Sequence, residues 1–449
     1  MKKALKHLST TQVVLLAFLA IILAGSVLLS LPISSATGKA VAYIDALFTS
    51  TTATCVTGLV TLPTVTTWSV FGQVVILLLI QIGGLGVITI AAGIMVMLGK
   101  RIGIGNRILI QDSFNLNTMS GLVKFIKKVI IGTFVVEGIG ALAYMTVFIP
   151  DFGAKGIWIS VFNSVSAFCN AGIDIISENS LCDYALNPVI NMTTALLIIS
   201  GGIGFVVWWD LIRIIKDKKH RHLRFLTLHS KIALSVSFFL IIAGTILFFV
   251  FEYNNPLTMQ NYSLPEKLEA SFFQSVTTRT AGFATIPQEN FTNSSALTSL
   301  LLMFVGGSPV GTAGGIKTVT FLVLLLTAAS VIKNKRTVDI FNRQISSKSI
   351  KKAVAVFATS FTVMIISAIL LSAVSGGSLL DVMYETVSAT ATVGLTRNFT
   401  QTLNLFGKII IIATMYFGRV GPISLAVAFG MKKTNENIVE NPVEEISVG

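Results

Sequence analysis

The sequence predicts an all-α polytopic membrane protein, with four tandem helix–pore helix–filter loop–helix repeats around a pseudo-fourfold pore. Three observations carry that reading: hydropathy, one short phrase written four times, and the placement of basic residues. Mean hydropathy over the 449 residues is +0.81, and only 12% are charged, against about 25% in soluble domains. Apolar stretches matching a bilayer core of about 30 Å lie at 13–31, 70–98, 129–149, 189–215, 232–251, 297–332, 353–374 and 403–431, eight spans at two per repeat.

The repeated phrase is Thr54-Cys55-Val56-Thr57-Gly58, Phe168-Cys169-Asn170-Ala171-Gly172, Thr278-Arg279-Thr280-Ala281-Gly282 and Thr390-Ala391-Thr392-Val393-Gly394, whose closing glycines recur at steps of 114, 110 and 112 residues. An aromatic stands ten residues before each glycine: Phe48, Phe162, Phe272 and Tyr384. A glycine pair or its relative ends the apolar run that follows: Gly83-Gly84, Gly201-Gly202, Gly306-Gly307 and Gly418. Four such copies in one chain imply an axis.

The elements then follow in order. The opening span of each repeat is a membrane helix; in the first, Leu31-Pro32 ends it. Next come the short runs 43–54, 157–168, 265–277 and 379–390. A run of about 12 residues covers ~18 Å, half a bilayer, so the chain dips in and returns. Pro265 suits a helix start. Non-helical backbone at this depth survives only where protein encloses it or it lines water. The second span closes each repeat. The boundaries are 1–107, 108–224, 225–343 with a broken second helix, and 344–431, before a polar C-terminal tail, 432–449.

Orientation comes from charge. Of 33 Lys and Arg, 25 lie at the amino terminus, in the three inter-repeat connections and in the tail, which predicts that both termini and the connections are cytoplasmic. The net charge of +13 is thus a topology signal, not a nucleic-acid footprint. No cleavable signal is expected, because the first apolar run lacks a small-residue cleavage site. Cys55, Cys169 and Cys182 form no disulfide framework, and His7, His220, His222 and His229 fall in cytoplasmic segments, against a zinc site. No catalytic order of Ser, His and acid, no metalloprotease motif and no paired carboxylates appear, so an enzyme is not expected, nor is a covalently bound cofactor. Gly84-Leu85-Gly86 and Gly103-Ile104-Gly105 lack the context of a dinucleotide fingerprint.

Glycine-ended loops on a shared axis suit ring coordination. A dehydrated alkali cation needs hard oxygen ligands, which backbone carbonyls supply, and glycine reaches the angles that aim them inward. Val56, Thr57, Gly58, Asn170, Ala171, Gly172, Thr280, Ala281, Gly282, Thr392, Val393 and Gly394 are therefore the expected carbonyl ligands of an alkali cation. The alternative is four tight turns between packed helices.

Thr392-Val393-Gly394 resembles the Thr-Val-Gly start of the potassium-channel filter, and the fourfold repeat in one chain resembles the Trk/Ktr/HKT superfamily of potassium transporters over nearly its whole length. With the first repeat at the amino terminus, the Ktr-type bacterial membrane subunit is the nearest match. The resemblance implies potassium preference from four filter glycines, a homodimer in membrane lipid, and a cytosolic ring of nucleotide-binding regulatory subunits, with sodium as a candidate activator. An ion-coupled carrier using sodium or protons is the alternative; parallel rather than inverted repeats weigh against it.

Two outliers remain. Gly306-Gly307-Ser308-Pro309-Val310-Gly311-Thr312-Ala313-Gly314-Gly315 breaks the second span of the third repeat, in a way unlike the other three, since glycine costs ~1 and proline ~3 kcal/mol in a helix. It reads either as a kinked helix or as a flexible gate beneath the filter; loops of this kind gate the resembling family. With Ile316-Lys317-Thr318 it superficially resembles a phosphate-binding loop, but no glycine directly precedes Lys317 and no strand leads in. Arg419, in the last span, should face protein or water. It reads as a positive charge beneath the filter, in the gate with Lys317, or as a structural contact, with Glu137 a possible counter-charge.

Overall fold

The structure, a computed structural model, describes residues 10–97, 121–217 and 223–421. Most of the first inter-repeat connection, His7, His220 and His222, and the tail 432–449 lie outside the described residues. The first repeat supplies α1 (Thr10–Ser30), α2 (Tyr43–Cys55), α3 (Val70–Leu85) and α4 (Val87–Met97). The second supplies α5 (Leu122–Phe152), α6 (Lys155–Cys169), α7 (Pro188–Gly202) and α8 (Phe205–Lys216). The third has α9 (Leu228–Glu252), α10 (Leu264–Thr277), α11 (Asn293–Phe304) and α12 (Thr318–Ile332). A two-residue β-ribbon, Asp339–Ile340 against Arg343–Gln344, leads to α13 (Ser347–Val374), α14 (Leu379–Ala391) and α15 (Leu405–Val420) in the fourth.

Polarity is turned inside out relative to a soluble domain. Along α2, Thr49, Ser50, Thr51, Thr52 and Thr54 are buried, while α1 shows Leu16, Leu19, Leu23 and Val27 to the outside, and α9 shows Phe238, Phe239, Ile246 and Val250. Helices α1, α5, α9 and α13 each hold a stretch long and apolar enough to cross a bilayer. The four half-length helices α2, α6, α10 and α14 start and end within two residues of the expected runs, and Pro265 sits in the first turn of α10 behind a Ser263/Glu266 capping box.

Three of the four half-length helices are notched into their long neighbours. Ser50 donates to the carbonyl of Ile22 (2.7 Å), Ser164 to Glu137 (2.6 Å) and Ser275 to Ile241 (2.8 Å). Opposite those hydroxyls stand Gly25, Gly140 and Gly244, where a Cβ would strike the serine. Small residues that admit close approach and a hydroxyl that spans it are what holds helices together in lipid, where apolar surface gives no driving force.

Two sequence expectations need correction. The second span is not continuous in the first and second repeats either. Gly86 (φ 85°) separates α3 from α4, and Gly204 (φ 95°) lies between α7 and α8, which meet at 95°. Left-handed backbone admits glycine without strain and ends each helix there. The third repeat differs in the length of its break, residues 305–317, and not in having one. Secondly, the aromatic buried in the third repeat is Phe273, not Phe272. In the other repeats the backbone N–H before the filter glycine bonds the carbonyl six residues before that glycine (Thr57 to Thr52, Ala171 to Ser166, Val393 to Ser388); in the third, Ala281 bonds Thr277, five before Gly282. The third repeat is one residue shorter from its buried aromatic to its glycine.

Candidate ion pore and its inner loop

The C-termini of α2, α6, α10 and α14 run straight into the repeated phrase, so four helix-dipole negative ends converge where the four glycines meet. The glycines form a closed relay. A Cβ on Gly58 would meet the carbonyl oxygen of Ala171, one on Gly172 that of Ala281, one on Gly282 that of Val393, and one on Gly394 that of Thr57, each at 2.6 Å or closer. Chain order around the axis is therefore first, second, third, fourth and back to first. Each glycine has φ between 63° and 99°, and no side chain fits.

Positive φ recurs two residues earlier, at Val56 (55°), Asn170 (60°), Thr280 (70°) and Thr392 (51°), and skips the residue between. Such alternation turns successive peptide planes so that their carbonyls face one side, unlike a strand in which they alternate. A β-branched residue at positive φ is strained, and the surroundings hold it there: Gly58 N–H donates to Thr52 Oγ1 and Gly394 N–H to Ser388 Oγ, both at 3.0 Å. All twelve expected residues of the phrase thus lie at the ring or one peptide from it.

On the side facing away from the second-span glycine pairs, the ring opens into a cavity of about 510 Å3 lined by its four glycines and by Asp174, Glu178 and Glu289. Three carboxylates in a concave mouth give a negative potential that concentrates cations. Burial pushes the Asp174 carboxyl up to about 6. Arg397 is turned away from the cavity, pairing with Asp381 at 2.9 Å and donating to the carbonyls of Gln288 and Glu289; Asp45 pairs with Lys408.

Beneath the ring lies the loop 306–315. Thr312 Oγ1 donates to the Phe168 carbonyl (3.0 Å) and to Asn170 Oδ1 (3.3 Å) under the second repeat. Gly314 N–H donates to Thr280 Oγ1 (3.1 Å), and a Cβ on Gly314 would strike Thr392. Ser308 N–H bonds the Gly202 carbonyl, and Phe205 N–H that of Val310; Gly311 packs on the carbonyls of Gly201 and Gly202, and the Pro309 carbonyl abuts Gly204. Gly307 accepts from Thr318 N–H, and Lys317 Nζ folds back onto the Ala313 and Gly314 carbonyls at 2.6 and 3.2 Å. Gly315 (φ 64°) closes the loop.

Arg419 reaches the same loop, donating to the Thr312 carbonyl (2.7 Å) and to the carbonyls of Gly83 and Gly84. It does not use Glu137, whose carboxylate accepts from Gln81 at 3.1 Å. Carbonyl oxygens supply the partial charge that a carboxylate would have supplied. The loop and Arg419 together touch the base of all four repeats.

A profile of the family described as a cation transport protein, TrkH, matches residues 3–441. The chain belongs to the TrkH cation transport family. Among its relatives are the potassium/sodium uptake protein NtpJ of Enterococcus hirae, 38% identical over all of this chain and 99% of that one, and the Ktr system potassium uptake protein B of Bacillus subtilis, 38% identical over 98% and 96%. The potassium transporter TrkH of Vibrio parahaemolyticus has the same fold, with a TM-score of 0.72 and 18% identity over 92% of this chain and 84% of that one. This TrkH-family chain is a multi-pass membrane protein, and kinship with Ktr-type subunits stands as expected from the repeat.

One residue of this TrkH-family site escaped the sequence reading. Arg279 stands in the column that Cys55, Cys169 and Ala391 occupy in the other copies. In the structure its guanidinium lies buried against the first residue of the inner loop. The signal available was a lone arginine in a membrane-embedded phrase whose other copies hold cysteine or alanine.

Proposed function

We propose that this chain takes potassium into the cell through a channel-like pore. Carbonyls of Val56–Gly58, Asn170–Gly172, Thr280–Gly282 and Thr392–Gly394 replace the ion's water shell, and the loop 306–315 with Lys317 and Arg419 is the gate. The closed relay of glycine and carbonyl around one axis is the observation that carries this reading, because four unrelated tight turns have no reason to interlock in chain order. The acidic cavity is the external mouth, the termini and inter-repeat connections are cytoplasmic, and no covalent cofactor is used. The relatives' names support potassium as the cargo, and the Ktr name implies a multi-component system. A homodimer bearing a cytosolic nucleotide-binding regulatory ring is the corresponding assembly, with sodium as an activator. The potassium/sodium name of the E. hirae relative keeps a second reading, an ion-coupled carrier.

Potassium flux into proteoliposomes, with and without sodium and with the cytosolic partner added, separates the readings. A pore gives potassium flux down its gradient that outpaces sodium flux and rises when the partner is activated. Strict one-to-one movement of sodium or protons with potassium would overturn it.

A further inference from the structure

Arg279 has a geometry that the gate and filter, taken separately, do not explain. Nη1 donates to the carbonyl of Ser237 on α9 (3.2 Å), and Nη2 donates to Ser237 Oγ (3.2 Å) and to the carbonyl of Gly306 (3.2 Å). The side chain is buried, its three acceptors are neutral, and Nε has no hydrogen-bond partner. A buried cation without a carboxylate is costly, so it needs a reason to persist. Gly306 opens the inner loop, and Arg279 immediately precedes Thr280. Thr280 is itself tied to the far end of the loop, through Gly314 N–H. Two consecutive residues of the third repeat therefore grip both ends of the loop.

We infer that Arg279 is a positioning residue that couples the inner loop to the third segment of the ring, so that loop movement and ion discrimination change together. The inference rests on the filter and gate reading above. If the loop swings aside, Gly306 moves with it, and either the guanidinium lets go or it pulls on the backbone that leads into Thr280. At the same column Ala391 has no group able to make such a tie, so the coupling belongs to one repeat of four.

The test is a cycle of four proteins in proteoliposomes: the parent, Arg279→Ala, a loop shortened by residues 311–313, and the two changes combined. Potassium and sodium fluxes are read separately, with and without the cytosolic partner. The shortened loop alone should raise flux and also lower the potassium/sodium ratio, and Arg279→Ala alone should lower that ratio by about threefold or more. In the combined protein, shortening should still raise flux but leave the ratio where Arg279→Ala put it, a non-additive result expected only of interacting sites. Arg279→Lys, which keeps the charge on a single donor nitrogen, should restore part of the ratio. Additive effects on the ratio, or an Arg279→Ala ratio equal to the parent's, would overturn the coupling. Should Arg279→Ala not assemble, Arg279→Gln, neutral but still a donor, takes its place in the same cycle and is judged by the same non-additivity. If shortening the loop fails to raise flux in the parent background, the gate reading itself has failed, an outcome distinct from additivity.

Discussion

The third repeat and its three siblings solve the same packing problem differently. In the first, second and fourth, the leading second-span glycine (Gly83, Gly201, Gly418) sits so close to the half-length helix that a Cβ would enter the carbonyl of Thr54, Phe168 or Thr390, in each case the residue four before the ring glycine. In the third, a Cβ on Gly306 would enter the carbonyl of Gly314, which is part of the inner loop. Three repeats clamp helix to helix, and in one the inner loop closes on itself. Helix contacts at three corners and a loop contact at the fourth are the arrangement the proposed gate requires.

That contrast breaks most visibly under alanine. Gly83→Ala, Gly201→Ala and Gly418→Ala each force a methyl into a backbone carbonyl held by a helix, an overpacking that costs about 1–3 kcal/mol or more. Folded yield and thermal stability in detergent should fall sharply. Gly306→Ala meets a loop that can shift, so it should fold nearly normally and leak potassium. Gly376→Ala, with nothing within 4 Å, is the silent control. Equal destabilisation at Gly306 and Gly418 would erase the distinction between the repeats.

Serine at Gly394 or Gly58 probes the ring itself. Both glycines have φ near 100° and a neighbouring repeat's carbonyl where the Cβ would go. The substitution must rotate a peptide and misaim a ligand. Discrimination of potassium over sodium should drop about tenfold, worth ~1.4 kcal/mol, measured as relative flux. Unchanged ratios in both variants would remove these residues from ion coordination.

How much of this was legible in the sequence follows from what a repeat can encode. The half-length helices and ring glycines were readable because three-dimensional symmetry is written as sequence periodicity, and positive φ leaves glycine as its mark. The missing residue in the third repeat was not, because Phe272 and Phe273 are both aromatic and counting back from Gly282 picks the wrong one. The breaks at Gly86 and Gly204 were hidden by apolar flanks, which read as continuous spans whether bent or straight. Arg419's partners are carbonyl oxygens, which no side-chain pattern announces, whereas charge pairing in the sequence points to Glu137.

The loop supplies the next effect. Removing part of 306–315 should raise potassium flux severalfold and weaken its dependence on the cytosolic partner. Arg419→Ala should act in the same direction but less, because it cuts the tie from Thr312 to the Gly83 and Gly84 carbonyls and leaves the contacts of Thr312, Ser308 and Gly314 in place. A normally folded deletion that conducts no more than the parent would make the loop a structural kink.

The smallest effect belongs to the opposite side of the ring, where the cavity is lined by carboxylates. Burial raises the Asp174 carboxyl to about 6, since ionising it in a confined pocket sacrifices hydration; the hydroxyl of Ser180 and the backbone N–H groups of Ile176 and Ser177 pull the other way, and Asp183 pushes with burial. A raised value means that the group is charged above about pH 6 and neutral below it. Potassium flux at subsaturating concentration should therefore fall by about twofold between pH 7 and pH 5 as this charge leaves the mouth, an effect that salt screens. Glu178 and Glu289 share the cavity and keep part of the potential. Asp174→Asn should mimic the acidic condition at pH 7 and flatten the profile between 5 and 7. It should leave the potassium/sodium ratio alone, because an entrance potential acts on both cations equally. If the variant shifts that ratio instead, Asp174 is holding the ring's geometry, and the mouth and the ring are not separable.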